Sequence, residues 1–96
     1  MEVERFRFHR RADMALNELS PADQAAVRER LAALADVPPR QWDAREVTRQ
    51  GATTPLYLVR VDDSLRALID LHADRAPEVL DIVRQETLES FARAGR

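Results

Sequence analysis

Two runs of alternating apolar residues, joined by a short acidic turn, constrain the fold of this chain more than any other feature. The runs are Leu56–Val61 and Leu65–Leu71, and Asp62, Asp63 and Ser64 lie between them. Such alternation is typical of strands with one buried face, and Asp and Ser side chains hydrogen-bond the backbone of tight turns. The sequence therefore predicts a β-hairpin over residues 55–71.

The alternation also divides this hairpin into two faces. One face is apolar apart from a tyrosine hydroxyl and comprises Tyr57, Val59, Val61, Ala67, Ile69 and Leu71. The other comprises Leu58, Arg60, Arg66, Leu68 and Asp70. We expect the first set to face the core, which leaves Arg60 and Arg66 together near the turn as a phosphate-sized site. The alternative is that both arginines are solvated residues of a polar sheet face, paired with neighbouring acids.

The N-terminal half predicts a strand followed by two helices. Residues 3–8 alternate around Phe6 and Phe8, which suits a half-buried strand. From about Arg10 the apolar residues fall at helical spacing. A second helix begins at Ser20-Pro21, because serine caps free amides and proline suits the first helical position, and it ends at the Pro-Pro pair at 38–39. The two helices are expected to form a hairpin.

The C-terminal half predicts further strands and a last helix. A short edge strand is expected over 44–49, another strand over 79–84, and a helix over 86–94 with Leu88 and Phe91 inward. We expect Tyr57 to lie in the core with its hydroxyl at the rim, and Trp42 to cover the core. The resulting fold class is α+β, with the helical hairpin on one face of a twisted antiparallel sheet of about four strands.

Length and composition indicate a single domain over residues 1–96, with little room for a cofactor cavity beside the core. The absence of cysteine excludes disulfides and thiolate metal sites, and we expect neither a metal nor a cofactor. No apolar run is long enough to span a bilayer, so we expect a cytoplasmic protein. The 15 basic residues are all arginine, and the net charge of −2 means that any phosphate-binding surface must be local.

At this point the sequence resembles the RelE/ParE superfamily of toxins from type II toxin-antitoxin systems. The resemblance spans nearly the whole chain, from Phe8 to the strand at 79–84, and its most specific part is the spacing of Tyr57, Arg60 and Arg66. It implies two helices packed on a twisted antiparallel sheet. It also implies a cognate antitoxin as a partner, and either of two activities: ribosome-dependent cleavage of mRNA or inhibition of DNA gyrase.

The resemblance assigns catalytic roles to Arg60, Arg66 and Arg84, if the chain is an endoribonuclease (an mRNA interferase). A 2′-hydroxyl would attack the adjacent phosphodiester while Arg60 and Arg66 hold the phosphate and Arg84 stabilises charge or approaches the leaving group. Glu46 is a candidate base, although an exposed edge-strand carboxylate is the favoured alternative. His72 lies at the far end of its strand from Arg66, and we assign it no catalytic role.

Three interpretations follow from the sequence. The first is a ribosome-dependent endoribonuclease that inhibits translation, or a weakened descendant of one. The second is a toxin or binding module that acts on a protein such as DNA gyrase, which the net charge of −2 favours over binding to ribosomal RNA. The third is a relative that keeps the fold without toxicity.

Overall fold

The structure, a computed structural model, describes residues 2–3, 6–38, 41–42, 47–50, 56–71 and 76–94. Within these ranges it contains six strands and three helices. In chain order they are β1 (Glu2–Val3), β2 (Phe6–Phe8), α1 (Arg10–Asn17), α2 (Pro21–Ala35), β3 (Val47–Gln50), β4 (Leu56–Arg60), β5 (Leu65–Asp70), β6 (Glu78–Arg84) and α3 (Gln85–Ala94). The expected α+β class, with two consecutive helices after an N-terminal strand, is confirmed.

Side-chain caps explain where the two helices of the hairpin begin. The Ser20 hydroxyl accepts a hydrogen bond from the Asp23 amide at 3.2 Å, and Pro21 occupies the first turn of α2, as predicted. At α1 the cap is His9, whose Nδ1 accepts a hydrogen bond from the Arg11 amide at 3.1 Å. Helix α2 ends at Ala35, before the proline pair is reached.

The strands form one sheet in the order β1-β2-β6-β5-β4-β3. The three pairs from β3 to β6 are antiparallel, as expected, whereas β2 lies parallel to β6. The sheet is therefore mixed, and the single N-terminal strand predicted over 3–8 is two short strands that pair with each other. Alternation identifies strands but not their neighbours, and α1, which follows β2 closely and packs on β6, brings β2 to this edge.

One face of the sheet packs against α1 and α2 and forms the core. From the helices the fully buried residues are Ala12, Leu16, Val27 and Leu31, and from the sheet they are Val59, Leu65, Ala67, Ile69 and Val79. Tyr57, Val61 and Leu71 are half-buried against the same cluster. The predicted helix-facing set of the hairpin is thus confirmed. None of the described helices is both long and apolar enough to cross a bilayer.

Trp42 closes one end of this core. Its indole ring packs edge-on against Tyr57, with ring centroids 6.4 Å apart and planes at 86°. The indole Nε1 donates a hydrogen bond to the Val37 carbonyl at 3.0 Å, which satisfies its polar atom. Both aromatic residues are therefore half-buried against the core, which agrees with the predicted cover by Trp42.

Candidate phosphate-binding face

Arg60 and Arg66 lie directly opposite each other on neighbouring strands. They are paired in the antiparallel register of β4 and β5, at the end of the hairpin next to the turn. Side chains that are opposite in this way point to the same face, with Cβ atoms about 4.5–5.5 Å apart. They alternate with Val59, Leu65 and Ala67, which are buried beneath the helices. The two arginines therefore share the outer face of the sheet.

Two like charges directly opposite each other destabilise a sheet unless a counter-charge or an anchor accompanies them. For Arg66 the anchors are backbone carbonyl groups. Its Nη1 donates hydrogen bonds to the Asp62 oxygen at 2.5 Å and to the Leu65 oxygen at 2.9 Å. Since both bonds use Nη1, the edge formed by Nε and Nη2 is not engaged by any residue that the structure describes. That edge matches the two oxygens of a phosphate.

Arg60 is held differently, by a carboxylate of the turn. Its Nη2 forms an ion pair with Asp63 Oδ1, and this aspartate side chain is 96% exposed whereas that of Arg60 is 39% exposed. The Arg60 backbone oxygen accepts a hydrogen bond from Arg30 Nε at 3.0 Å, which ties the end of β4 to α2. A ligand that binds Arg60 through Nη2 therefore competes with Asp63.

The turn between the two arginines is organised by Asp62. Its Oδ1 accepts hydrogen bonds from the Ser64 amide at 2.8 Å, the Ser64 hydroxyl at 3.0 Å and the Leu65 amide at 2.9 Å. Burial raises the pKa of this carboxyl, but the hydrogen bonds from Ser64 and Leu65 and the charge of Arg66 outweigh it, so the pKa is lowered overall. Asp62 is therefore ionised and accepts hydrogen bonds at neutral pH.

The remainder of the outer face mixes leucines with acidic and polar residues. Leu58 pairs with Leu68, and both side chains are half-buried. Further along the same row, Thr48 on β3 lies opposite Leu58, and Asp81 on β6 lies opposite Leu68. In the row of the arginines, Val83 lies opposite Arg66. The face thus carries two arginines beside two leucines, with Asp70 and Asp81 at its other positions, and we call it the arginine-leucine face.

The register of β6 places Arg84 on the opposite side of the sheet from the arginine-leucine face. A shift at Leu68/Ile69 leaves Val79 and Ile82 both buried although they are three residues apart, as a β-bulge allows. After the shift Arg84 pairs with Leu65, a core residue. The sequence-based expectation that Arg84 joins Arg60 and Arg66 on one face is therefore not met, although its proposed catalytic role stays a prediction. Arg84 is exposed and lines a depression of about 340 Å³ together with Asp63, Ser64, Gln85, Glu86 and Glu89.

Several sequence-based assignments fall on parts of the chain outside the described residues. Glu46, the candidate base, and His72 both lie there, as does the side chain of Phe91. Among the residues that are described, no cluster of histidine and carboxylate side chains is suited to hold a metal ion. The described part of the site therefore offers arginines, carboxylates and leucines.

Sequence reasoning missed the different roles of the two turn aspartates and the position of Asp81. Asp62 and Asp63 are recognisable as turn residues, but nothing in the sequence tells which one binds the backbone and which one binds Arg60. A signal was available for β6. Strict alternation would place Asp81 on the same face as Val79, in the core, and a carboxylate there is costly enough to indicate a bulge.

The fold is of the class in which a helical hairpin packs on one face of a mixed sheet. Solved structures of this class include a chain of the RelBE2 toxin-antitoxin complex from Mycobacterium tuberculosis, with a TM-score of 0.66 and 20% identity over 83% of this chain and 95% of that chain. A chain of the archaeal RelE-RelB complex from Pyrococcus horikoshii gives a TM-score of 0.63 and 21% identity over 88% of this chain and 97% of that chain. The chain therefore has a RelE-like fold, as the resemblance implied. No protein-family profile and no curated protein matches the sequence.

Proposed function

We propose that this chain is a toxin-like module of a type II toxin-antitoxin system, and that its arginine-leucine face binds mRNA at the ribosome and promotes its cleavage. The observation that carries the proposal is the cross-strand pair of Arg60 and Arg66. Because the two guanidinium groups lie on one face, one phosphodiester can contact both of them. The RelE-like fold supports the proposal, since one solved structure of this fold is a toxin-antitoxin complex and the other is a RelE-RelB complex.

In the proposed reaction an RNA 2′-oxygen forms a bond to the adjacent phosphorus, and the bond from phosphorus to the 5′-oxygen breaks. The 2′-hydroxyl loses its proton to a base, and the leaving 5′-oxygen gains one from an acid. The products are a 2′,3′-cyclic phosphate and a 5′-hydroxyl. Arg60 and Arg66 stabilise the negative charge that builds up on the phosphorane oxygens, and cations already fixed in place lower the barrier without reorganising during the reaction. Glu46 is the candidate base from the sequence.

The cognate antitoxin is the proposed protein partner. A face that carries Leu58 and Leu68 beside the arginines offers apolar area together with charge, the combination found where proteins bind each other. An acidic, partly apolar antitoxin segment that covers this face would neutralise the arginines and exclude RNA. Inhibition would then follow from occupancy of the same surface.

A second candidate function is inhibition of a protein target such as DNA gyrase. It is favoured by the formal net charge of −2, because proteins that bind between layers of RNA phosphate gain from a strongly basic surface. In that case the same face would bind a protein, and cleaved RNA would not form. The two candidates predict different products in arrested cells.

Induced expression in a bacterial host, without an antitoxin, tests the proposal. We expect growth arrest with the native chain, and ribosome-bound mRNA fragments that end in 2′,3′-cyclic phosphate and 5′-hydroxyl groups. Arg66→Ala should relieve the arrest, whereas Arg28→Ala, which removes an equal charge from the exposed side of α2, should not.

Continued growth with a folded native chain would refute both toxin interpretations. Arrest with intact mRNA and gyrase trapped on cut DNA would refute the endoribonuclease and support the second candidate. Arrest that Arg28→Ala relieves as well as Arg66→Ala does would show that overall charge, and not this face, is responsible.

A further inference from the structure

We infer that Asp62 is a positioning residue for Arg66, which it holds ready to bind a phosphate. The inference rests on the proposed RNA binding of the arginine-leucine face. Asp62 lies in the hairpin turn and is neither a cation nor a proton donor at neutral pH, so its contribution would be made through Arg66. Three features of the geometry support this role.

The first feature is the fixed shape of the turn. A single carboxylate oxygen of Asp62 binds the Ser64 amide, the Ser64 hydroxyl and the Leu65 amide at 2.8–3.0 Å. The Val61 amide in turn donates to the Leu65 oxygen at 3.0 Å, which closes the hairpin. Leu65 is fully buried, so the turn is anchored in the core at one end and by the carboxylate along its length.

The second feature is that the turn supplies both carbonyl groups that bind Arg66. The backbone oxygens of Asp62 and Leu65 both accept hydrogen bonds from one guanidinium nitrogen, Nη1, at 2.5 and 2.9 Å. Their relative position is set by the peptide units that the Asp62 carboxylate holds. If the carboxylate is removed, these two acceptors are free to move apart, and the guanidinium loses its anchor.

The third feature is what the anchor achieves for binding. A free arginine side chain has many rotamers, and the entropy lost when a ligand immobilises it weakens binding. Arg66 is immobilised on folding, with its Nε–Nη2 edge directed away from the anchored nitrogen and not engaged by any described residue. The ligand therefore binds a guanidinium edge whose orientation is already fixed before binding. The charge of Asp62 works in the opposite direction, because a carboxylate near the site repels a phosphate.

These opposing effects allow the role to be tested with two variants at one position. Asp62→Asn keeps a side-chain oxygen that accepts the same hydrogen bonds, and asparagine is favoured in such turns. It removes the repulsive charge. Asp62→Ala removes both the acceptor and the charge. If the charge of Asp62 were its only effect on binding, both variants should bind RNA more tightly than the native chain. If Asp62 positions Arg66, only Asp62→Asn should bind more tightly.

The measurement is binding of a fluorescent single-stranded RNA of about ten nucleotides, a typical site size, followed by anisotropy at low salt. Hydrogen bonds to charged groups of this kind change affinity about tenfold or more, so we expect Arg66→Ala to weaken binding by about that factor. Asp62→Ala should weaken it to a similar extent. The double variant Asp62→Ala/Arg66→Ala should bind no more weakly than Arg66→Ala alone, because the two changes remove one interaction.

A second readout does not depend on RNA. The ¹⁵N–¹H relaxation of the Arg66 Nε group reports the mobility of the guanidinium. It should be as ordered in Asp62→Asn as in the native chain, and mobile in Asp62→Ala. If Asp62→Ala does not fold, Asp62→Ser takes its place, since its hydroxyl forms the same turn more weakly, and it should give an intermediate mobility.

The outcomes separate the inference from the proposed function. If Arg66→Ala weakens RNA binding while Asp62→Ala binds as tightly as the native chain, the positioning role is overturned and the proposed function stands. If Arg66→Ala binds RNA as tightly as the native chain, the phosphate contact proposed for Arg66 fails, and the growth assay with Arg66→Ala decides the ribosome-dependent function. The relaxation of the Arg66 Nε group then tests the positioning role without RNA. If this group is as ordered in Asp62→Ala as in the native chain, the positioning role is overturned.

Discussion

The ion pair between Asp63 and Arg60 leads to a prediction of increased affinity. A substitution that neutralises Asp63 should strengthen RNA binding. In the native structure one nitrogen of Arg60 is occupied by the Asp63 carboxylate, so a phosphate that binds there must displace it. Asp63→Asn keeps the size and the turn propensity of the side chain but removes the competing charge. We expect RNA to bind this variant more tightly than the native chain.

The size of the gain follows from the exposure of the pair. The Asp63 side chain is 96% exposed and that of Arg60 is 39% exposed, and pairs this accessible are worth about 0.2–1 kcal/mol. Displacing the carboxylate costs a ligand no more than this amount, which corresponds to a gain of about 1.5- to 5-fold in affinity. Folding stability should change by a similarly small amount, so the variant should remain folded.

The assay is the RNA anisotropy titration over a range of salt concentrations, with Glu29→Gln as the matched control. Glu29 is exposed on α2, and its substitution raises the net charge by the same amount without touching the turn. Asp63→Asn should bind more tightly than Glu29→Gln, and the difference should vanish when Arg60 is replaced by alanine. Equal affinity in the two variants would refute the competition between Asp63 and the ligand.

Three further predictions concern stability, pH and the third arginine. Leu65→Ala should lower the free energy of unfolding by about 2–5 kcal/mol, measured in urea, because this fully buried side chain leaves a cavity under the hairpin. The pKa of Asp62 is lowered on folding, so its contribution to stability is complete above its ordinary value of 3.8 and is lost as pH falls through the lower folded value. Stability should therefore fall more steeply below this pH in the native chain than in Asp62→Asn, as acid denaturation curves would show. Arg84→Ala should weaken RNA binding less than Arg66→Ala, because Arg84 is out of phase with the outer face and lies among carboxylates.

The hairpin could be predicted from the sequence because its signals are local. Alternation over 56–61 and 65–71 indicates the two faces, and the residues at 62–64 indicate the turn. The opposition of Arg60 and Arg66 then follows from the length of the turn, since a short loop fixes the register of its strands. The same reasoning located the start of α2, where Ser20 and Pro21 act within one helical turn.

What the sequence did not predict depends on contacts between distant segments. The parallel pairing of β2 with β6 joins residues about seventy positions apart, and alternation in either strand is the same for a parallel or an antiparallel neighbour. The bulge in β6 reverses the face on which Arg84 lies, because one extra residue shifts every later side chain. The ion pair of Arg60 with Asp63, in preference to Asp62, depends on side-chain rotamers in the folded turn.

We propose that the arginine-leucine face of the hairpin is the functional surface. Backbone amide shifts in an NMR titration with a short single-stranded RNA test it most directly. We predict that the largest shifts occur in β4 near Arg60 and in β5 from Arg66 to Leu68, and that the exposed side of α2 around Arg28 is unchanged. Shifts confined to the helices, or no shifts in the hairpin at RNA concentrations that saturate binding, would contradict the claim.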